Sequence, residues 1–273
     1  MATPKPWQGA IKDAEVQVLP LRDPKRAGKS GWCASGGDLE DSPEVEIMCG
    51  GINSKGAGYA ALWRQGNLMH FGFEESPSEY NDVGRALLEN AVCYIAQFTE
   101  DRPIAVTPSG FVDRNYPRSR RLLRAALDSP ATPAKTLGAF FVEEIQEKLL
   151  KMSVDDAKGW IRENMGFFAS SAKGLLEVDE DAKGLGLAID DASFLTKALA
   201  GEAKRAVALL ARRVPEGPGP AATLEQWKAF LDADRDYLFF TETGGYAWRL
   251  DPLARKRKVP TAELRGSRRA AKR

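Results

Sequence analysis

Three side chains in this sequence have the types needed for nucleophilic chemistry: Cys33, His70 and Glu74. His70 is the single histidine of the 273 residues and stands in "RQGNLMHFGFEESP", just ahead of Glu74 and Glu75. In a cysteine-dependent hydrolase or amidotransferase-like enzyme a thiolate attacks, an imidazole takes its proton and a carboxylate orients the imidazole. Such a thiol sits on a tight strand-to-helix elbow. "GWCAS" gives Cys33 small neighbours, but it follows "RDPKRAGKSG", which is no apolar strand. "GGDLED" follows and does not start a helix. The surroundings favour a loop cysteine and a strand histidine. The enzyme reading, with Cys33, His70 and Glu74 as its catalytic residues, stands as the alternative.

Acidic pairs are the second candidate: Asp155/Asp156, Asp179/Glu180/Asp181 and Asp190/Asp191. Clustered carboxylates can hold Ca²⁺ or Mg²⁺, but "DEDAKGLGLAID" lacks the regular oxygen ladder of a calcium loop. Each pair stands where a helix begins, and negative charge favours that end of the helix dipole. Capping is therefore expected, with no metal and no cofactor. The glycine-rich "MCGGINSKGAGY" follows a strand but lacks phosphate-loop spacing, and a second strand comes next where a helix is needed. Asn53, Lys55 and Arg64 are kept as surface binding candidates. From residue 254 to 273 there are nine Lys and Arg against Glu263, a balance of +8; the net charge of +1 leaves −7 on the rest of the chain. Arg255, Lys256, Arg257 and Lys258 in this tail could contact an anionic polymer in a salt-dependent, sequence-blind way.

Composition sets the frame. Apolar content of 43% and charged content of 28% are those of an ordinary globular protein. No apolar run approaches the roughly 18 residues of a membrane span. "MATPKPWQGAIKDAEV" lacks the features of a signal peptide, so the chain as it stands reads as cytoplasmic, or periplasmic if a leader has been removed. Cys33, Cys49 and Cys93 form no metal-type spacing; Cys93 is expected in the core, and Cys33 and Cys49 are expected as free thiols, with a Cys33–Cys49 disulfide in an oxidising compartment as the alternative.

Elements must position these residues. Residues 1–43 are loop-rich, with one short edge strand over "AEVQVLPL". "VEIMCGG", "GYAALWRQ" and "LMHFGF" read as strands, the last two joined by a Gly66–Asn67 turn. Helix signals follow, with Ser78 or Asn81/Asp82 as cap and Leu87, Leu88, Ala91, Val92 and Ile95 facing the sheet. Beyond a linker at 102–117, "PRSRRLLRAALD", "PAKTLGAFFVEEIQEKLLKM", "SVDDAKGWIRENM", "DEDAKGLGLA" and "DDASFLTKALAGEAKRAVALLARRV" are helical, with starts at Pro117, Pro133 and Ser153. Residues 215–223 break the pattern. "LEQWKAFLDADRDY" is a helix capped by Thr223, and "YLFFTETGGYAWRL" is a hairpin. "DDAK" and "DEDAK" are too short a match to define a repeat.

"GGINSKGAGYAALWRQGNLMHFGFEESPSEYNDVGRALLENAVCYIAQF", and more loosely "WKAFLDADRDYLFFTETGGYAW", resemble the last strands and final helix of trehalose-utilisation-like (ThuA-like) domains in large bacterial proteins. Those domains belong to the class I glutamine amidotransferase-like superfamily. About 45 residues precede the likeness, too few for the βα units of a whole domain. The nucleophile elbow would lie in that missing part, so no family catalytic residue carries over. The resemblance implies a truncated α/β module, non-catalytic, joined to a helical domain.

The sequence thus predicts an α+β protein: a loop-rich segment at 1–43, a small sheet with a covering helix at 44–104, a helical domain at 115–213, a helix and hairpin at 223–251, and a disordered basic tail at 252–273. The leading function is a non-enzymatic interaction or accessory protein with a protein partner or as a homo-oligomer, because the edge strands of so small a sheet invite pairing.

Overall fold

The computed structural model describes residues 2, 14–15, 17–22, 31–35, 42–51, 59–105, 119–130, 132–191 and 193–270. The fold is α+β, with small antiparallel sheets among many helices. The chain divides into two compact units, Met1–Pro103 and Ile104–Arg273. No helix among the described residues is long and apolar enough to cross a membrane.

Unit 1 is a four-stranded antiparallel sheet with one covering helix. The strands are β1 (Ala34–Ser35), β2 (Val45–Gly50), β3 (Tyr59–Gln65) and β4 (Leu68–Phe71). β3 is central: β2 pairs with one of its edges, and β1 and β4 share the other. The β3–β4 turn is Gly66–Asn67, and Gly66 has φ 55°. A side chain there would also strike the Asp101–Pro103 backbone at 2.5–2.6 Å, so both conformation and space demand glycine. Helix α1 (Asp82–Ile95) starts at Asn81, whose side chain accepts from the Gly84 N–H at 2.9 Å.

Side chains alternate across the sheet, so Glu46, Arg64 and Met69 share one face and Ile47, Trp63 and His70 the other. α1 covers the first. Arg64, 1% exposed, lies there with its guanidinium 3.7 Å from the Phe98 ring centroid. It donates to Glu46 Oε2 at 2.8 Å, to the Gly66 carbonyl at 2.8 Å and to Asp101 Oδ2 at 3.3 Å. Tyr94 on α1 donates to the same Glu46 oxygen at 2.6 Å, and burial beside that carboxylate raises the Tyr94 pKa.

Two expectations for α1 are corrected. Val92 is 58% exposed and Cys93 is exposed. The inward stripe runs through buried Gly84 and Ala91 and half-buried Leu87, Leu88, Tyr94 and Ile95, and Val92 stands about 100° round from Ala91. The described residues of "AEVQVLPL" do not form an edge strand either. Glu15 makes an isolated bridge to Ala2, and the Pro20 and Leu21 carbonyls serve the start of α1 by accepting from Asn81 Nδ2 and N.

Unit 2 contains helices α2 (Arg120–Asp128), α3 (Ala134–Gly138), α4 (Glu143–Leu150) and α5 (Val154–Asn164). A hairpin follows, β5 (Phe168–Ser170) with β6 (Leu176–Val178), and then α6 (Glu180–Gly184), α7 (Phe194–Ala198), α8 (Ala203–Arg213) and α9 (Leu224–Asp234). A second hairpin, β7 (Leu238–Thr241) with β8 (Ala247–Leu250), leads to α10 (Pro252–Arg257) and α11 (Thr261–Ala270). The expected helix at 133–152 is split because residues 140–142 run beside β6. Leu176 N–H donates to the Phe140 carbonyl and Val142 N–H to the Leu176 carbonyl. That places Phe141, 1% exposed, edge-on to Phe168 at 5.0 Å.

The order of elements shows an internal repeat. Ser153 and Thr223 each accept from the backbone three residues on, and each opens an 11-residue helix. Each helix ends in a 3₁₀ turn that feeds an antiparallel hairpin. Each hairpin ends in a buried aspartate, Asp179 or Asp251. Their backbone N–H groups bond back to the Phe167 and Tyr237 carbonyls at 2.8 Å. Oδ1 of Asp179 accepts the N–H groups of Asp181 and Ala182, and Oδ1 of Asp251 those of Leu253 and Ala254. Each carboxylate also binds a buried arginine: Arg213 Nε at 2.9 Å, and Arg265 Nε at 2.9 Å. The pairs Ile161/Leu231, Asn164/Asp234 and Ala182/Ala254 are buried in both copies.

Residues 252–273, expected to be disordered, are helical as far as residue 270. The cause is Asp251: it caps α10 and neutralises Arg265, which is 4% exposed.

The second hairpin reaches back to the first helix. Arg120, the first residue of α2, donates to Glu242 at 2.8 Å and Asp190 at 2.9 Å, with Phe240 and Tyr246 rings 5.4 and 5.2 Å from its guanidinium. Burial opposes its charge, but the two carboxylates outweigh burial and the pKa rises.

Removing one partner of a buried ion pair costs about 3–5 kcal/mol. Asp179→Ala and Asp251→Ala should therefore each lower unfolding free energy by about that much in urea titrations, with loss of a cap included. Arg249→Ala, which breaks a partly exposed pair with Glu216, should cost under about 1 kcal/mol.

Burial holds the Tyr246 phenol well above its ordinary value of 10.0, with Glu242 adding to the effect. A raised folded-state pKa means this contribution is intact below about 10 and falls as pH climbs above it. Tyr246→Phe should lose less melting temperature than wild type between pH 9 and 11, measured by circular dichroism.

Candidate functional site

The candidate residues of unit 1 converge on a side chain that the sequence reading passed over, Trp32. Its backbone N–H donates to the Gly72 carbonyl at 2.8 Å. Its carbonyl lies 2.9 Å from His70 Nε2. Its indole N–H donates to Glu74 Oε1 at 2.9 Å. Glycine makes this docking possible. A Cβ on Gly72 would lie 2.0 Å from the Trp32 carbonyl oxygen, and one on Gly31 would lie 2.1 Å from the Gly72 oxygen. No side chain fits in either place.

The geometry assigns the imidazole a role. A carbonyl oxygen only accepts, so His70 Nε2 carries the proton and donates. That nitrogen is not a base for a thiol. Glu74 spends its contact on the indole rather than on the imidazole. His70 instead lies against Trp63, ring centroids 5.7 Å apart and tilted by 35°. The structure thus brings His70 and Glu74 onto Trp32, not into a Cys33–His70–Glu74 relay. Cys33 lies toward Gly51, with its Sγ 3.2 Å from where a Gly51 Cβ would stand.

The same face of the sheet carries two rows opposite α1: Val45, Gln65 and Leu68, and Ile47, Trp63 and His70. None of the six is buried, and Leu68 is 61% exposed. The Trp63 indole nitrogen is shielded from solvent and has no hydrogen-bond partner among the described residues. A buried donor left unmet costs about 1–3 kcal/mol. Trp32 stands beside the far end of β4 at 70% exposure. The signal for it was present in "KSGWCASGG": a large aromatic among glycines and polar residues has no strand or helix face to bury itself in.

The other candidates disperse. Arg64 is buried under α1 with three acceptors, which corrects its assignment as a surface binding residue. Its position opposite Glu46 on the helix-covered face is the reason. Asn53 and Lys55 lie outside the described residues. Arg255 pairs with Asp234 at 2.8 Å; Lys256 and Arg257 complete α10, and Lys258 closes it in the left-handed region at φ 54°. Asp155 and Asp156 sit in the first turn of α5, Asp179 caps α6, and Asp191 holds Ser193. Arg212, hydrogen-bonded to Asp181, keeps that carboxyl below its ordinary range. Asp190 serves Arg120. Among the described residues no three His, Cys, Asp or Glu side chains converge as a metal set.

Comparison of the chain with protein-family models, with curated proteins and with solved structures returns no match.

Cys33, Cys49 and Cys93 are free thiols, and burial raises the Cys49 pKa. Thiolate is the reactive form. With iodoacetamide at pH 8, exposed Cys93 should be alkylated first and Cys49 last, as read by peptide mass spectrometry over time.

Proposed function

We propose that this chain is a non-enzymatic interaction or accessory protein, and that the face of the unit 1 sheet opposite α1 is its contact surface for a protein partner. The observation that carries this reading is the Trp63–His70–Ile47 face, half-exposed and flanked by the exposed Leu68 and Trp32. Exposed apolar patches with a polar rim mark interaction sites, and tryptophan is the residue that most often dominates them.

The test is the particle mass of the native protein. Light scattering of full-length protein enriched from its source should give a mass above the monomer. The double variant Trp32→Ala, Leu68→Ser should return it to monomer mass with an unchanged melting temperature, since both side chains are exposed. A wild-type chain that is monomeric throughout overturns the reading.

A further inference from the structure

We infer that Trp32 and Glu74 form a recognition point for a cationic side chain, an arginine or lysine on a basic segment of the partner. The inference rests on the binding-module reading above and names the chemistry of the partner.

Trp32 combines two properties that rarely meet. It is 70% exposed, yet three hydrogen bonds fix its position: backbone N–H to Gly72, carbonyl from His70, indole N–H to Glu74. A free surface tryptophan would lose rotamer freedom on binding. This one is already held, so its ring is a preorganised platform.

The hydrogen bond to Glu74 also decides what that platform suits. Donation from the indole N–H to a carboxylate pushes electron density into the ring and strengthens its negative face. Tryptophan is the best of the aromatic hosts for a cation. Glu74 is itself exposed, so a guanidinium or ammonium laid on the ring also meets the carboxylate charge at the ring edge. Among the described residues that follow Glu74, Glu75, Glu79 of the 3₁₀ turn and the fully exposed Asp82 are acidic, and Glu75 pairs with Arg22 at 3.5 Å and Asp82 with Arg85.

A sugar ring also stacks on tryptophan, but a polyol needs donors as well as acceptors from its site. Here the indole N–H is committed to Glu74 and His70 Nε2 to the Trp32 carbonyl, which leaves an acceptor-rich surface. The balance favours a cation.

The experiment uses the full chain, ¹⁵N-labelled, and follows the Trp32 indole N–H resonance, assigned by its loss in Trp32→Phe. The probes are acetyl-Ala-Arg-Ala-Arg-Ala-amide, the same peptide with citrulline in place of arginine, and cellohexaose. Citrulline keeps the shape and removes the charge. The arginine peptide should shift the Trp32 resonance saturably and the citrulline peptide should not. In the variants the affinity is read from the backbone amide resonances of Gly72 and Glu74, and an exposed cation–π contact sets the expected size: Trp32→Ala should weaken the arginine peptide about three- to fivefold, and Trp32→Phe less. Glu74→Gln should weaken it and flatten its salt dependence. Thermal melts of the three variants should match wild type.

Equal shifts from both peptides, a saturable shift from cellohexaose instead, or no shift from the arginine peptide overturns the inference. If the native particle still dissociates in Trp32→Ala, Leu68→Ser while the arginine peptide is silent, only the partner chemistry is wrong. If the native protein is monomeric and every probe is silent, the binding-module reading falls with it.

Discussion

A guanidinium taken out of water must be met by carboxylates, and that demand organises both units. Arg64, Arg120, Arg213 and Arg265 are all under 9% exposed. Each is solved by drawing in segments that the chain keeps apart. Arg64 gathers Glu46 from β2, the Gly66 turn and Asp101 beyond α1. Arg120 gathers Asp190 and Glu242. Arg213 and Arg265 fix the aspartates that end the two hairpins. Such pairs return little net stability compared with well-packed apolar residues of the same size, but half a pair is very costly. Their effect is therefore on uniqueness: alternative packings would strand a charge.

The unit 1 site follows from the same arrangement. With Arg64, Glu46 and α1 occupying one face, the sheet has only its other face to offer, and the alternation of β3 places Trp63 there. Gly72 and Gly31 then allow the Trp32 segment to lie against the end of β4. Chemistry at His70 is exchanged for architecture: the imidazole that could have been a base is a hydrogen-bond donor holding Trp32 in place.

Local rules made much of this legible. The Gly66–Asn67 turn, the strands around it, the caps at Ser153 and Thr223 and the last hairpin each depend on residues close in sequence. What stayed hidden depends on distant contacts. Nothing near Val92 says which side of α1 the sheet will take. Nothing near Phe141 says that Leu176 will recruit it and break a helix. The β5–β6 hairpin is short, and its sequence, "FASSAKGLLEV", lacks a strong turn dipeptide. The basic tail looked too charged to fold because Arg265 finds its counter-ion only in three dimensions. The repeat escaped because its copies share positions of burial and capping but few residue identities: Asp179 answers to Asp251, yet Ala157 in one copy answers to Trp227 in the other. Of the site, His70 and Glu74 stood out by type, whereas Trp32 carried no mark except its setting among glycines.

The ion pair that joins the ends of unit 2 bears on how it folds. Arg120, ahead of the first copy of the repeat, meets Asp190 and also Glu242 in the hairpin of the second copy, the latter across 122 residues of chain. Loop closure over such a distance is entropically demanding and comes late in assembly. Until the second hairpin forms, Asp190 is the one of these two carboxylates set against the guanidinium, and the second counter-charge arrives only as the chain end docks.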